Sequence, residues 1–234
     1  MSGNQKEICL EDLKLRILRM DLEPGAMLDE ASLASHYGLS RTPLREILQR
    51  LAGAGFISTR ENRGAKVASM DVATMRVFFQ TAPMVYANIS RLAAENHSSR
   101  QLGDLQTAQL EFAKSTERGD APAAALANHR FHAIIGEMAH NPYLVAALNR
   151  LLIDHTRLSQ TFYRPADPHE EQLVVRASEQ HDALISAIEA REGALATDLT
   201  LQHWDLSRDR IERFVRPDPL PVDVISMKEH RGAV

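Results

Sequence analysis

Hydrophobic positions in the first part of the chain predict two short helices separated by turns. Residues 8–20 place apolar side chains near helical spacing, and Glu23-Pro24-Gly25 then forces a turn. A second helix is predicted at residues 30–37 and stops at Gly38, which suits a left-handed C-cap.

A third helix and a hairpin follow. Ser40 is a good N-cap and Pro43 falls in the first turn, where its missing N–H costs nothing, so a helix is predicted at residues 41–52. Two β-prone runs, 56–60 and 65–69, are joined by residues 61–64 and predict a hairpin. Helix, helix, capped helix and hairpin is the order of a winged helix-turn-helix, which binds DNA.

From residue 71 to residue 215 the pattern is helical with few interruptions, and six helices fit. Ser99 is the expected cap of the second of these, and Pro83 is expected to kink or split the first. The predicted fold is therefore mainly α. Its predicted divisions are a winged helix-turn-helix domain at residues 1–70, an all-α helical bundle at 71–216 and a Pro-containing tail at 217–234.

Composition and charge narrow the class of protein. The chain has 234 residues, one cysteine and a net charge of −4, which argues against disulfides and against indiscriminate coating of nucleic acid. No apolar run is long enough for a signal sequence or a membrane span, so a cytoplasmic protein without membrane contact is expected. Residues 39–69, however, carry six basic side chains against two acidic ones, which predicts DNA docking at one face.

The third helix divides into two faces. Leu44, Ile47 and their apolar neighbours recur at core spacing, while Arg41, Arg45 and Gln49 recur at i, i+4 and i+8 on another side. Arginine pairs with guanine and glutamine with adenine in the major groove. An isolated Arg/Gln face is usually solvated surface, but the order of elements around it favours DNA recognition.

The segment PGAMLDEASLASHYGLSRTPLREILQRLAGAGFISTRENRGAKV resembles the DNA-binding domain of the GntR family of bacterial regulators, with SRTPLRE as its most specific part. The resemblance implies a homodimer that binds an inverted-repeat operator in double-stranded DNA. Together with the face analysis, it gives the expected DNA contacts. They are Arg41, Thr42, Arg45 and Gln49 on the helix, and Arg63 and Gly64 on the wing.

Three histidines of the predicted helical bundle lie on the core-facing sides of three different helices. Asn128 and His132 share a face at i, i+4, His181 lies on an apolar stripe of another helix, and His203 lies on a stripe of the last helix. A single histidine on such a stripe is usually a core residue, but three with an amide can converge on one divalent cation such as Zn²⁺ or Ni²⁺. His36, His97, His140, His169 and His230 are expected at the surface.

The segments DAPAAALANHRFHAIIGEMAHNPYL, SEQHDALISAIEAREG and LTLQHW resemble the FCD effector domain of the FadR-like branch of the GntR family. The resemblance implies a metal held by Asn128, His132, His181 and His203, and a cavity above it that binds a small organic acid. Asn128 stands where the family usually has Asp, and a neutral ligand should weaken cation binding.

The effector cavity has fewer sequence markers. Many FCD proteins place an arginine on the first helix of the domain, whereas residues 80–84 here contain no cation. The side chains expected to line the cavity are His155, Ser159, Tyr163 and Arg210. The resulting function is a ligand-responsive transcriptional repressor.

Two alternatives use the same histidines differently. The metal itself is the signal in the first. In the second the chain is an enzyme, because three histidines and an open position are what a catalytic zinc needs. No carboxylate lies at a spacing that would place it beside these histidines as a general base, and a fused DNA-binding domain has no use in an enzyme, so a non-enzymatic regulator is favoured.

Overall fold

The computed structural model describes the backbone of residues 2–60 and 64–215, and the side chains of residues 4–59 and 64–206. Within these ranges the chain is mainly helical, as predicted. The helices are α1 (Ser2–Leu18), α2 (Glu30–Tyr37), α3 (Arg41–Ala54), α4 (Val72–Asn96), α5 (Ser99–Glu117), α6 (Ala121–Met138), α7 (Pro142–Phe162), α8 (Pro168–Glu189) and α9 (Gly193–Val215). The strands are β1 (Met27–Leu28), β2 (Ile57–Arg60) and β3 (Gly64–Val67).

The first three helices and the three strands enclose one hydrophobic cluster, and we call this part the reader. The N-cap of α2 is Asp29, whose carboxylate accepts from the Ala31 N–H, and its C-cap is Gly38, with φ of 61°. Leu13, Leu48 and Val67 lie in the middle of the cluster.

The sheet of the reader has the order β1-β3-β2, with β3 antiparallel to both neighbours. Ile57 pairs with Val67, as the predicted hairpin requires, and Leu28 of β1 pairs with Ala65. A strand of two residues is too short to show alternation, so β1 leaves no pattern in the sequence. α1 starts earlier and stops earlier than the predicted helix at residues 8–20.

The helices α4 to α9 form a bundle with its own core. Met75 and Ile89 of α4, Phe131 of α6, Leu152 of α7 and Ile188 of α8 are all buried there. None of the helices in the described part of the chain has the length and apolarity that a membrane crossing would require.

Two predicted features of α4 and α5 are corrected. α4 runs through Pro83 as one helix of 25 residues, so the predicted split does not occur; Ala82 and Val85, on either side of Pro83, are both buried in the core. α5 is capped by Ser98 rather than by Ser99: the Ser98 hydroxyl accepts from the Gln101 N–H, and the Gln101 side chain accepts from the Ser98 N–H.

His97 is also corrected from a surface residue to a buried one. Its ring folds back on the end of α4, with Nδ1 3.3 Å from the carbonyl oxygens of Ala93 and Ala94. Arg191, in the turn between α8 and α9, donates to the carbonyls of Glu95 and His97. These carbonyls lie at the C-terminus of α4, where helix geometry leaves them without a backbone partner.

Candidate DNA-reading face and histidine centre

The two faces of α3 separate as the sequence predicts. Leu44, Ile47, Leu48 and Leu51 are buried. Arg41, Thr42, Arg45 and Gln49 are exposed. Helix α3 therefore presents a polar side with two arginines to solvent.

The arginine side of α3 is engaged only weakly by an ion pair. Arg45 Nε lies 3.7 Å from a carboxylate oxygen of Glu30, and the Arg45 side chain is 70% exposed. A pair this open contributes little to stability, so the guanidinium can exchange Glu30 for another partner. Ser40 occupies the N-cap position of α3, yet its hydroxyl makes no capping hydrogen bond.

The wing is the hairpin of β2 and β3, and residues 61–63 at its turn lie outside the described residues. Gly64 begins β3, is exposed and has φ of 72°, a conformation that favours glycine. Arg63, the predicted contact beside it, lies outside the described residues.

The three predicted metal-ligating histidines converge. One ring nitrogen from each of His132, His181 and His203 lies within 4.8 Å of the other two, although the residues come from α6, α8 and α9. Asn128 is buried one turn before His132 on the same face of α6. We call these four residues the histidine centre.

Three polar atoms of the histidine centre are buried without a hydrogen-bond partner among the described residues. They are Asn128 Oδ1, His132 Nε2 and His181 Nε2. Buried polar atoms are almost always paired, so three orphaned atoms in one cluster are the state expected where a cation completes the coordination. The residues present thus fit a divalent metal.

Two glutamines fix the outer nitrogens of the ligand rings. His181 Nδ1 lies 2.8 Å from Gln109 Oε1, and His203 Nδ1 lies 3.0 Å from Gln180 Oε1. An amide oxygen can only accept, so each Nδ1 carries the hydrogen and each Nε2 lone pair is left for a cation. No local sequence pattern marks Gln109, because its partner is 72 residues away.

Burial keeps these rings neutral. It lowers the pKa of His203 to about 4, and burial with the nearby histidine charges holds the pKa values of His132 and His181 well below the usual range. Neutral imidazole is the form that binds metal, so no proton has to leave at neutral pH.

His155, predicted to line the cavity, does lie beside the histidine centre. Its ring centroid is 5.4 Å from that of His132, and its Nδ1 is 2.8 Å from the Tyr86 hydroxyl. Burial, reinforced by His203 and His129, lowers the pKa of His155 to about 3, while burial raises the pKa of Tyr86. Tyr86 therefore keeps its proton, and its hydroxyl shares a hydrogen bond with Nδ1 of His155; in the tautomer where Tyr86 donates, Nε2–H of His155 is left as a donor.

The other predicted cavity residues are placed less directly. Ser159 is buried, but its hydroxyl donates to the His155 carbonyl at 2.8 Å. Tyr163 packs in a neighbouring cluster with Phe112 and Val174, and Phe112 contacts the His181 ring. The Arg210 side chain lies outside the described side chains. Tyr86 was not predicted, since a tyrosine on an apolar helix face reads as core.

The sequence matches the models of two protein families, one for each part of the chain. Residues 7–67 match the gntR family of bacterial regulatory proteins, and residues 84–206, more than half of the chain, match the FCD domain. The chain belongs to the GntR family and carries an FCD domain. It is therefore a DNA-binding regulator of transcription, and the resemblance stated from the sequence is confirmed.

Several curated GntR proteins are similar over most of their length. The Nta operon transcriptional regulator of Aminobacter aminovorans is 26% identical over 193 residues, covering 82% of this chain and 88% of that protein. The repressor GlaR of Escherichia coli (strain K12) is 27% identical over 196 residues, covering 82% of this chain and 88% of that protein. These relatives are regulators and not enzymes, which confirms the favoured class.

A solved structure supports the fold. The E. coli protein McbR/YncC superposes with a TM-score of 0.76 at 21% identity, over 91% of this chain and 99% of that one. By sequence, the regulator McbR of E. coli (strain K12) is 25% identical over 200 residues, which covers 82% of this chain and 87% of McbR.

Proposed function

We propose that this GntR-family regulator is a homodimeric repressor that releases an inverted-repeat operator when a small organic acid binds at a metal-containing pocket. Residues 1–70 would read DNA, residues 71–216 would bind the effector and dimerise, and residues 217–234 would form a tail. The observation that carries the proposal is the convergence of His132, His181 and His203 beside the orphaned oxygen of Asn128.

The donor set of the histidine centre suits Zn²⁺ or Ni²⁺. Three neutral imidazoles are borderline ligands that both ions bind, and Asn128 adds a harder amide oxygen. With these four ligands in place, an effector oxygen would take a fifth coordination position. A bound ion supplies a Lewis-acidic position that can hold a carboxylate oxygen.

Neutral donors near the histidine centre would complete recognition of an acid. With Tyr86 donating to Nδ1, the His155 Nε2–H would be a donor of this kind. Residues 80–84 of α4 offer no cation, so the acid would be held by the metal and by neutral hydrogen bonds rather than by an arginine on that helix. Small monocarboxylates suit such a pocket better than dicarboxylates, since a second charge would stay uncompensated.

The exposed side of α3 supports the DNA contacts. Arg41, Thr42, Arg45 and Gln49 would enter the major groove, while Arg63 and Gly64 would approach the neighbouring minor groove. One reader covers one half-site, so a homodimer is needed for an inverted repeat. A repressor role is suggested by the similarity to the repressor GlaR, and the protein would act in the cytoplasm, where the operator is.

DNA reading is tested by selecting genomic fragments that the purified protein binds and by titrating one of them with variants. The double variant Arg41→Ala, Arg45→Ala is expected to lose about 2 to 6 kcal/mol of specific binding, if each arginine contributes ~1 to 3 kcal/mol. Arg50→Ala is the control, because Arg50 lies on α3 but pairs with Glu7 of α1. Specific binding by the double variant at the parent's affinity would refute this assignment.

The metal is tested by elemental content after purification. The parent is expected to hold one divalent ion per chain, and the variants His132→Ala and His181→Ala should lose it. His169→Ala removes an exposed histidine and should keep the ion. Equal metal content in all four proteins would rule out the histidine centre as the site.

The second candidate, a regulator whose signal is the metal itself, is favoured by the missing cation at residues 80–84. A metal-stripped preparation distinguishes the two. If Zn²⁺ alone changes operator affinity strongly, the metal is the signal; if affinity responds only to an organic acid added to the Zn²⁺-loaded protein, the metal holds the effector.

A further inference from the structure

Helix α7 lies between the histidine centre and the reader and carries a different set of residues toward each. One face of α7 contacts His132 through the ring of His155, and it consists of Leu148, Leu152, His155 and Ser159. We call this face the first stripe. The second stripe consists of Arg150, Ile153, Asp154, Arg157 and Gln160. At 3.6 residues per turn the middles of the two stripes are roughly opposite on the helix.

The second stripe of α7 contacts the reader at several points. Arg157 Nη1 donates to the carbonyl of Ala68, between β3 and α4, at 2.8 Å. Gln160 Nε2 donates to the carbonyl of Leu18, the last residue of α1, at 3.2 Å. Ile153 is buried within the hydrophobic cluster of the reader. A helix of the bundle therefore supplies part of the reader's own core.

Asp154 joins two arginines that both reach the reader. Its carboxylate forms an ion pair with Arg157, and its other oxygen lies 3.2 Å from Nη1 of Arg150. The Arg150 side chain packs over Gly55, the left-handed C-cap of α3, so closely that a Cβ on Gly55 would lie 2.4 Å from Arg150 Cδ. Arg150 thus rests on the end of the helix that carries the DNA-reading face.

The Arg157 side chain is fully buried, which makes this contact sensitive to position. A buried guanidinium is tolerated only where a carboxylate and further acceptors compensate its lost hydration. Asp154, on α7 itself, pairs with Nη2 of Arg157, whereas Nη1 depends on the Ala68 carbonyl and so on the placement of α7 against the segment that follows β3. Sliding of the reader would break the hydrogen bond to Ala68 and leave Nη1 buried without an acceptor.

We propose that Arg150, Asp154 and Arg157 are positioning residues that hold the reader in one orientation, and that α7 transmits the state of the histidine centre to it. A displacement of His155 on one stripe moves the second stripe, because both belong to one rigid helix. The transmission step rests on the proposed function of the histidine centre. The positioning step does not.

Pulsed electron-spin distance measurements test the positioning step. Spin labels at Ser35→Cys in α2 and Gln106→Cys in α5 are both exposed, whereas the native Cys9 is buried and should stay unlabelled. Labelled chain is diluted with unlabelled chain so that only distances within one chain are read. The parent is expected to give one narrow distance distribution.

Arg157→Met should broaden this distribution, and Arg150→Ala, which alters a half-exposed side chain, should broaden it less. Arg130→Ala is the matched control, since it breaks the Arg130–Glu137 ion pair on α6 and is expected to change nothing. If Arg157→Met does not fold, the width of the distance distribution in Arg150→Ala tests the positioning role by itself. An unchanged width in the folded variants would overturn the positioning role.

The transmission step is tested with Zn²⁺ as the probe on metal-stripped protein. Zn²⁺ is expected to shift the mean distance in the parent, while Arg157→Met binds the same amount of Zn²⁺ without the shift. If the parent binds Zn²⁺ and its distance does not move, transmission is overturned. If the parent binds no Zn²⁺, the proposed metal site fails and transmission with it, whereas the positioning result stands by itself.

Discussion

Gln109 determines which nitrogen of His181 faces the histidine centre. Its amide nitrogen donates to the carbonyl and the hydroxyl of Ser178, both at 3.0 Å, and this fixes its oxygen toward His181 Nδ1. The ring must then carry its hydrogen on Nδ1. A side chain on α5 thus sets the protonation pattern of a ligand on α8.

Replacing Gln109 should weaken metal binding without removing a ligand. Gln109→Met keeps the length of the side chain but lacks an acceptor, so His181 loses its orientation and Zn²⁺ affinity is expected to fall about 10- to 100-fold. Competition with a chelator measures this. Gln106→Met, an exposed change on α5, should leave the affinity as it is. Equal affinities in both variants would mean that Gln109 is only a packing residue.

Asn128 offers a change in the opposite direction. Asn128→Asp places an anion beside the three histidines, and Zn²⁺ affinity should rise by about tenfold or more, because a charged ligand competes better for a cation. The metal-stripped variant should be less stable than the parent, because its carboxylate would be buried without a partner. Zinc titration measures the Zn²⁺ affinity, and urea unfolding of the metal-stripped protein measures its free energy of unfolding. Weaker Zn²⁺ binding by the variant would place Asn128 outside the coordination sphere.

At the scale of elements, the start of α5 shows how neighbouring serines differ. Ser98 makes the reciprocal bonds of a capping box with Gln101, while Ser99 is the first helical residue. Ser98→Ala is expected to cost about 1 kcal/mol and to lower Tm by roughly 2 to 4 °C. Ser99→Ala should change Tm by less than the error of a calorimetric scan, and the reverse order of the two effects would contradict the capping assignment.

Features that depend on spacing within one segment could be predicted from the sequence. The buried and exposed sides of α3 and the inward direction of His132 and His181 follow from a period of 3.6 residues, and the end of α2 follows from Gly38 as its C-cap. Burial of His97 could not be predicted, because its ring is held by the carbonyls of its own helix end.

Contacts between distant elements could not be predicted, because nothing in a local pattern specifies the partner. Gln109 and His181 are 72 residues apart, and Arg157 lies 89 residues from Ala68. Arg157 illustrates the difficulty, since an arginine in an amphipathic helix is usually solvated and this one is fully buried. Its role depends on the packing of α7 against the reader, which only the folded chain contains.

For the molecule as a whole, the buried histidines make folding depend on pH in one direction. The pKa of His155 is lowered to about 3 and that of His203 to about 4, whereas in the unfolded chain each is near 6.5. Above about pH 6.5 neither state binds these protons, so the stability is complete. As the pH falls below that value the unfolded chain binds protons that the folded chain refuses, and the free energy of unfolding decreases.

The metal-stripped protein should therefore lose stability steeply between about pH 6.5 and pH 4. Each histidine that stays neutral in the fold contributes about 1.4 kcal/mol per pH unit in this window, and His132 and His181 add to His155 and His203. Urea unfolding at pH 7, 6 and 5 measures the slope. His155→Leu should reduce the slope by about one histidine's share, and His169→Ala, at the surface, should leave it unchanged. If the parent unfolds with the same free energy at pH 7 and pH 5, these rings must accept protons in the folded state, and the histidine centre would then be more open to water than its packing indicates.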